Sequence, residues 1–173
     1  MSKEEHNNQH PPKPPEFIRK VKFNLVQLIG IPIFLIIPVL ALFGVFGESA
    51  DKVSASSAEF EMQVEYPNRF RYKQVNPVEV SLRNTSSQII PALTVSFDHF
   101  YISKFSETQF TPQVKEVTEN SYKVELNYIQ PGETRRVSVS LQGEHYGRHN
   151  GSITAETERG SRADVNISTI IFP

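Results

Sequence analysis

The chain of 173 residues contains no cysteine. That excludes disulfides, thiolate catalysis, lipid attachment through cysteine, and any copper or zinc site built on thiolates. A folded part must therefore be stable through packing alone, and export without disulfides points to a bacterial protein rather than to animal secretion. Charge is absent from one long stretch: no residue between Lys22 and Glu48 is charged, and Ile, Leu, Val and Phe dominate it. The patterns of catalysis are missing too, with no Gly-x-Ser-x-Gly elbow, no phosphate-cradling loop and no paired carboxylates. From Glu48 onward acidic residues slightly outnumber basic ones, so nucleic acid is not an expected partner.

The uncharged stretch predicts a transmembrane helix over residues 23–47, because about 20 apolar residues in a helix cross a hydrocarbon core about 30 Å thick. The rest of the chain is too small to enclose a helix that is apolar on every side. Arg19, Lys20 and Lys22 precede the span, while Glu48 and Asp51 follow it. With the positive side in the cytoplasm, residues 48–173 lie outside it, in the periplasm or at the cell exterior. A cleaved signal peptide is the competing reading, since Val53-Ser54-Ala55 offers small residues, but a signal's apolar region is only about 7–15 residues long. Within the span, Asn24, Gln27, Pro32, Pro38, Gly44 and Gly47 are candidates for helix packing: amides bond across helices and small residues admit close approach. The same residues also suit an interfacial position and ordinary membrane-helix composition.

Residues 1–22 form a cytoplasmic tail, read as disordered from its polar run and Pro11-Pro12-Lys13-Pro14-Pro15. Residues 48–57, small and polar, read as a linker. From 58 to 173 the pattern becomes alternation. Phe60, Met62, Val64 and Tyr66 face one way, followed by a turn at Pro67-Asn68, and Val78, Val80 and Leu82 follow. Leu93, Val95 and Phe97 come next, then a bend or hairpin at 99–102 and an irregular stretch over 103–120. Val124, Leu126 and Tyr128, then Val137, Val139 and Leu141, then Ile153, Ala155 and Thr157, and finally Val165, Ile167, Thr169 and Ile171 complete the series. Seven or eight short strands so spaced predict an all-β fold, an immunoglobulin-like antiparallel β-sandwich preceded by one transmembrane helix.

The segments SLRNTSS, IQPGETRRVSVSL and GSITAETERG, with a closing strand, resemble the immunoglobulin-like modules of bacterial envelope proteins, the CARDB-type group among them. The resemblance covers strand order and turn placement over about 58–173. It implies turn-forming roles for Asn84 and Asn150, and a chain reversal at Pro131-Gly132. It implies a scaffold or binding module and transfers no functional residue.

Two segments hold the candidate site residues. Phe97, Phe100, Tyr101, Phe105 and Phe110 crowd where alternation breaks, so they either cap the core or form an apolar patch for a partner. Phe100, Tyr101, Phe105, Phe110, Tyr146 and Arg148 are accordingly the candidate partner contacts. His145 and His149, with His99 or Asp98 supplying a further ligand, are the one set from which a metal site would be assembled, but their glycine-marked loop at 143–151 does not preorganise them. The glycosylation pattern occurs at Asn84, Asn150 and Asn166. The sequence therefore leads to a membrane-anchored, non-enzymatic accessory or scaffold protein with no catalytic residue, cofactor or metal, whose outer domain binds another envelope or integral membrane protein. A glycan or cell-wall binding module, using Tyr101 and Tyr146, is the alternative.

Overall fold

The computed structural model describes residues 24–43 and 49–173, except for the side chains of 25–27. The chain divides into two compact units, Met1–Leu42 and Phe43–Pro173. In the first unit, α1 runs over Leu25–Leu42 with Pro32 and Pro38 inside it, and its apolar side chains from Leu28 onward are exposed. The expected span over 23–47 is not matched at that length. Among the described residues no helix is long and apolar enough to cross a membrane. The 18 residues of α1 rise about 27 Å. The tail over 1–22, the Gln27 side chain, Gly44 and Gly47 lie outside the described residues.

The second unit is built of strands. β1 (Ser49–Ser56), β2 (Phe60–Arg71), β3 (Val75–Asn84) and β4 (Ile90–Asp98) lead to a single helical turn, α2 (His99–Ile102). β5 (Phe105–Thr111), β6 (Glu116–Val117), β7 (Ser121–Ile129), β8 (Thr134–Gly143), β9 (Gly147–Thr157) and β10 (Arg162–Phe172) follow. All ten belong to one curled sheet in the order β5-β8-β3-β2-β10-β9-β4-β7-β6, with β1 also paired to β2. The ladders are antiparallel except one: Ile170–Phe172 of β10 runs parallel to Arg69–Arg71 of β2.

That short parallel ladder joins two layers, β1-β2-β3-β8-β5 and β10-β9-β4-β7-β6, which face each other across the core. Strands remote in the sheet order meet there: Phe110 of β5 lies edge-on to Phe97 of β4 and stacked on Tyr122 of β7, both at 5.5 Å between centroids. The fold is therefore a β-sandwich, with the alternating residues of both layers in one buried cluster.

Four expectations change. Residues 49–56 are not a linker but the strand β1, paired in register with β2 from Ala50↔Pro67 to Ser56↔Glu61. Pro67-Asn68 is no turn, because β2 continues through it to Arg71. Asn150 lies within β9 rather than in a turn. Tyr128 points outward, and Ile129 takes its place in the core. Tyr128 adopts φ 54°, and both it and Pro91 fall between the paired positions Ala92↔Asn127 and Ile90↔Ile129. Pro91 has no N–H to offer a ladder, and the left-handed residue shifts the side-chain parity of the strand by one.

Two polar knots tie the layers. Buried Asn84, at the end of β3, donates through Nδ2 to the carbonyls of Gln88 at 2.7 Å and Ile129 at 2.9 Å. Its Oδ1 accepts from Ser86 N and Ser86 Oγ. At the other end, the Tyr101 hydroxyl bonds Thr169 Oγ1 at 2.8 Å, and Thr169 in turn donates to the Pro67 carbonyl at 2.8 Å. Burial pushes the Tyr101 phenol up to about 12, so it stays protonated and available as a donor. Asn84→Ala strands buried carbonyls and is expected to cost about 2–4 kcal/mol. Urea unfolding checks this: the midpoint should fall while the slope stays unchanged.

Candidate functional site

The aromatic segment resolves into core and rim. Tyr101 and Phe105 are buried, and Phe110 is partly buried against the core. Phe100 is 67% exposed, and Lys104 places its ammonium 3.9 Å from the centre of the Phe100 ring. Phe105 and Phe110 both turn inward although they are five positions apart, because β5 carries an irregularity between Ser106 and Gln109 at Glu107, which has φ 49°. An inserted residue reverses the alternation. Tyr101 meets Phe105 at 4.9 Å, and Gly151 lies against Tyr101 so tightly that a Cβ there would come within 2.4 Å of the Tyr101 Cβ. Three of the six candidate contacts, Tyr101, Phe105 and Phe110, thus serve the fold.

The other three, Phe100, Tyr146 and Arg148, are exposed and lie at one end of the sandwich. The β2–β3 turn, the crossing from β8 to β9, α2 and the start of β1 all gather there. Tyr146 packs on Tyr72 at 4.8 Å, and Lys73 lies 5.6 Å from the centre of the Tyr72 ring. Residues 144–146 carry the chain from one layer to the other, a much shorter loop than the one expected over 143–151.

The histidines do not converge into a ligand set. His149 Nε2 donates to the His145 carbonyl at 2.6 Å. His99 begins α2 and stacks on Tyr122 at 5.0 Å, while Asp98, the expected further ligand, caps the helical turn by accepting from Phe100 N at 2.8 Å. Among the described residues no group of three or more His, Asp or Glu is placed to hold a metal ion. Beside α2 lies an open cleft of about 590 Å³, lined by Ser96, Asp98, Phe100, Asn120, Ser152 and Thr154 among others. Sequence reading missed this cleft because its hydroxyl and amide groups come from β4, β9 and the turn before β7, and no linear pattern joins them.

Of the glycosylation patterns, Asn84 is buried with its amide committed to the fold, whereas Asn150 and Asn166 are exposed on β9 and β10.

The ionisable residues with clear interactions are at the opposite end and on the strand faces. Glu59 accepts from Thr157 Oγ1 at 2.7 Å and from Arg159 at 2.9 Å, and these bonds hold its carboxyl below the usual range. Arg162 and Thr154 do the same for Asp164. Such groups pin strand ends together and face no cleft that gathers nucleophile, base and oxyanion donors.

No protein-family model matches the chain, and no curated protein matches it. Among solved structures, the cohesin module of a family 33 glycoside hydrolase from Clostridium perfringens is similar at 8% identity and a TM-score of 0.47, over 70% of this chain and 98% of that one. A CARDB domain from Pyrococcus furiosus is similar at 12% identity and a TM-score of 0.37, over 69% of this chain and 90% of that one. The resemblance to such modules therefore stands at the level of the β-sandwich and carries no argument about function.

Because Glu59 has a depressed pKa in the folded state, its contribution to stability is present above the unfolded value near 4.5 and is lost as pH falls through the lower folded value. Thermal melts between neutral pH and pH 3 should show a shallower acid loss for Glu59→Gln than for the parent chain. Parallel curves would remove Glu59 from the acid limb.

Proposed function

We propose that the chain is a non-enzymatic accessory protein, held at a membrane by its apolar N-terminal segment, whose outer β-sandwich binds another envelope protein by adding one of that partner's strands to β1. The observation that carries this is the character of the sheet edges. β5 is interrupted at Glu107, β6 is two residues long, and the free part of β10 carries the Arg162–Asp164 ion pair. Bulges, brevity and charge are the devices by which natural sheets blunt their edges. β1 is eight residues long, mostly Ser and Ala, regular beyond its first residue, and among the described residues paired only to β2. Lys52 is drawn onto Glu65 of β2 at 2.8 Å rather than guarding the outer side. A small-residue strand with one row of backbone groups unpaired is the template that strand addition uses.

The anchoring half of the proposal is supported by the uncharged stretch between Lys22 and Glu48 and by the exposed apolar side chains of α1. The flanking charges favour a cytoplasmic N-terminus and an extracytoplasmic sandwich. A glycan ligand is the second reading, favoured by the hydroxyl- and amide-lined cleft beside α2 with exposed Phe100 on its wall.

Photo-crosslinking in intact cells tests the first reading. A photoreactive phenylalanine at Ser54 should capture one reproducible envelope protein, and the same probe at Arg136, exposed on β8, should not. If Ser54 gives no adduct, or the same adducts as Arg136, strand addition at β1 is wrong. Binding of cell-wall polysaccharide that is lost on Phe100→Ala would favour the second reading instead.

A further inference from the structure

The end of the sandwich where the chain enters gathers several strand ends. Ser49 pairs with Arg69, and Ile170–Phe172 run beside Arg69–Arg71, so the start of β1, the end of β2 and the end of β10 lie side by side. Ile171 pairs with Gly147, and the Tyr72 amide donates to the Phe172 carbonyl at 2.8 Å, which brings the β8–β9 crossing and the β2–β3 turn to the same tip. Arg71, Tyr72, Lys73, Tyr146, Arg148 and Phe172 therefore form one cluster. Tyr146 is 55% and Phe172 44% exposed, and Arg71, Lys73 and Arg148 are exposed.

At the far end Arg159, Arg135 and Arg162 are bound to Glu59, Glu133 and Asp164, while exposed Arg83 and Arg136 take part in no ion pair among the described residues. At the entry tip, Arg71, Lys73 and Arg148 take part in no ion pair among the described residues, and the exposed acids near them include Glu144 on the same crossing and Asp51 near the start of β1. Exposed aromatic rings among cations are what the interface of a bilayer selects. Tyr and Phe settle at headgroup depth, and Lys and Arg meet anionic phosphates.

We infer that this tip rests on the surface of an anionic lipid bilayer. The inference builds on the anchoring proposed above, and the tether supports it. Residues 43–48 are all that separate α1 from β1, a reach of at most about 3.5 Å per residue, so the entry tip cannot stray far from the headgroups of an anchored chain. The tip then acts as a second attachment that fixes how the sandwich stands on the membrane, with β1 rising from the surface and its outer edge open to a neighbour.

The absence of cysteine makes the test direct. The full chain, carrying Tyr146→Cys, Phe172→Cys or, at the far end, Tyr128→Cys, is labelled with an environment-sensitive fluorophore. It is then reconstituted into vesicles of phosphatidylcholine, with and without phosphatidylglycerol, that contain headgroup-spin-labelled lipid. With phosphatidylglycerol, the labels at 146 and 172 should shift blue and lose most of their emission to the quencher, while the label at 128 should not. Replacing Arg71, Lys73 and Arg148 by Gln should weaken the tip's surface association about fivefold per cation, so quenching falls toward its level in neutral vesicles. If the protein floats with the vesicles but all three labels stay equally water-exposed, the tip proposal is overturned and the anchor stands. If the protein does not float, the anchor reading fails and takes the tip proposal with it.

Discussion

Only three residue pairs of parallel ladder connect the two layers of the sandwich through backbone hydrogen bonds, so the burial of side chains between the layers holds them together. With no disulfide to limit the unfolded ensemble, that interlayer packing carries the stability of the domain. The details serve it. Phe60, Met62 and Leu82 from one layer and Leu93, Ile153 and Ile167 from the other are almost fully enclosed. Gly143 and Gly151 are glycines because Phe70 and Tyr101 occupy the space a side chain would need. Asn84 and Thr169, polar residues inside this core, are tolerated because each satisfies backbone carbonyls at a layer boundary.

The same constraint divides the surface. Of the acidic residues with depressed pKa values, Glu59 is held by Thr157 and Arg159 across the layers, whereas Asp164 is held by Arg162 on its own strand and Thr154 on the neighbouring one. What the fold does not use is left at three places: the outer edge of β1, the cleft beside α2, and the aromatic and basic tip at the chain's entry. The binding role proposed for the domain draws on these features. The first presents backbone, the second hydroxyls and amides, and the third rings and cations, three different chemistries.

Much of the core could be read from the sequence because period-two alternation survives wherever a strand is regular. Every expected inward residue of β2, β3, β4, β8, β9 and β10 is buried. Reading failed where a single residue resets the parity. Glu107 hid β5 inside an apparently irregular stretch, and Tyr128 at φ 54° exchanged places with Ile129. β1 went unrecognised because an edge strand that buries almost nothing has no apolar pattern, and its Ser and Ala residues look like a linker. The aromatic crowding was visible, but its division between core and rim depended on that same reset at Glu107 and on the turn capped by Asp98. The entry tip was the least legible feature. Its residues come from three separate strand ends, and only the register of β2, β9 and β10 brings them together.

That β1 is a strand and not a loose tether bears on how the domain meets mechanical load. A pull on the chain at Ser49, directed along the axis of β1, does not peel the ladder open one pair at a time. It loads the hydrogen bonds between β1 and β2 together, in shear, from Ala50 to Ser56. A domain gripped in this way transmits tension into β2, the strand that β10 of the other layer also pairs with.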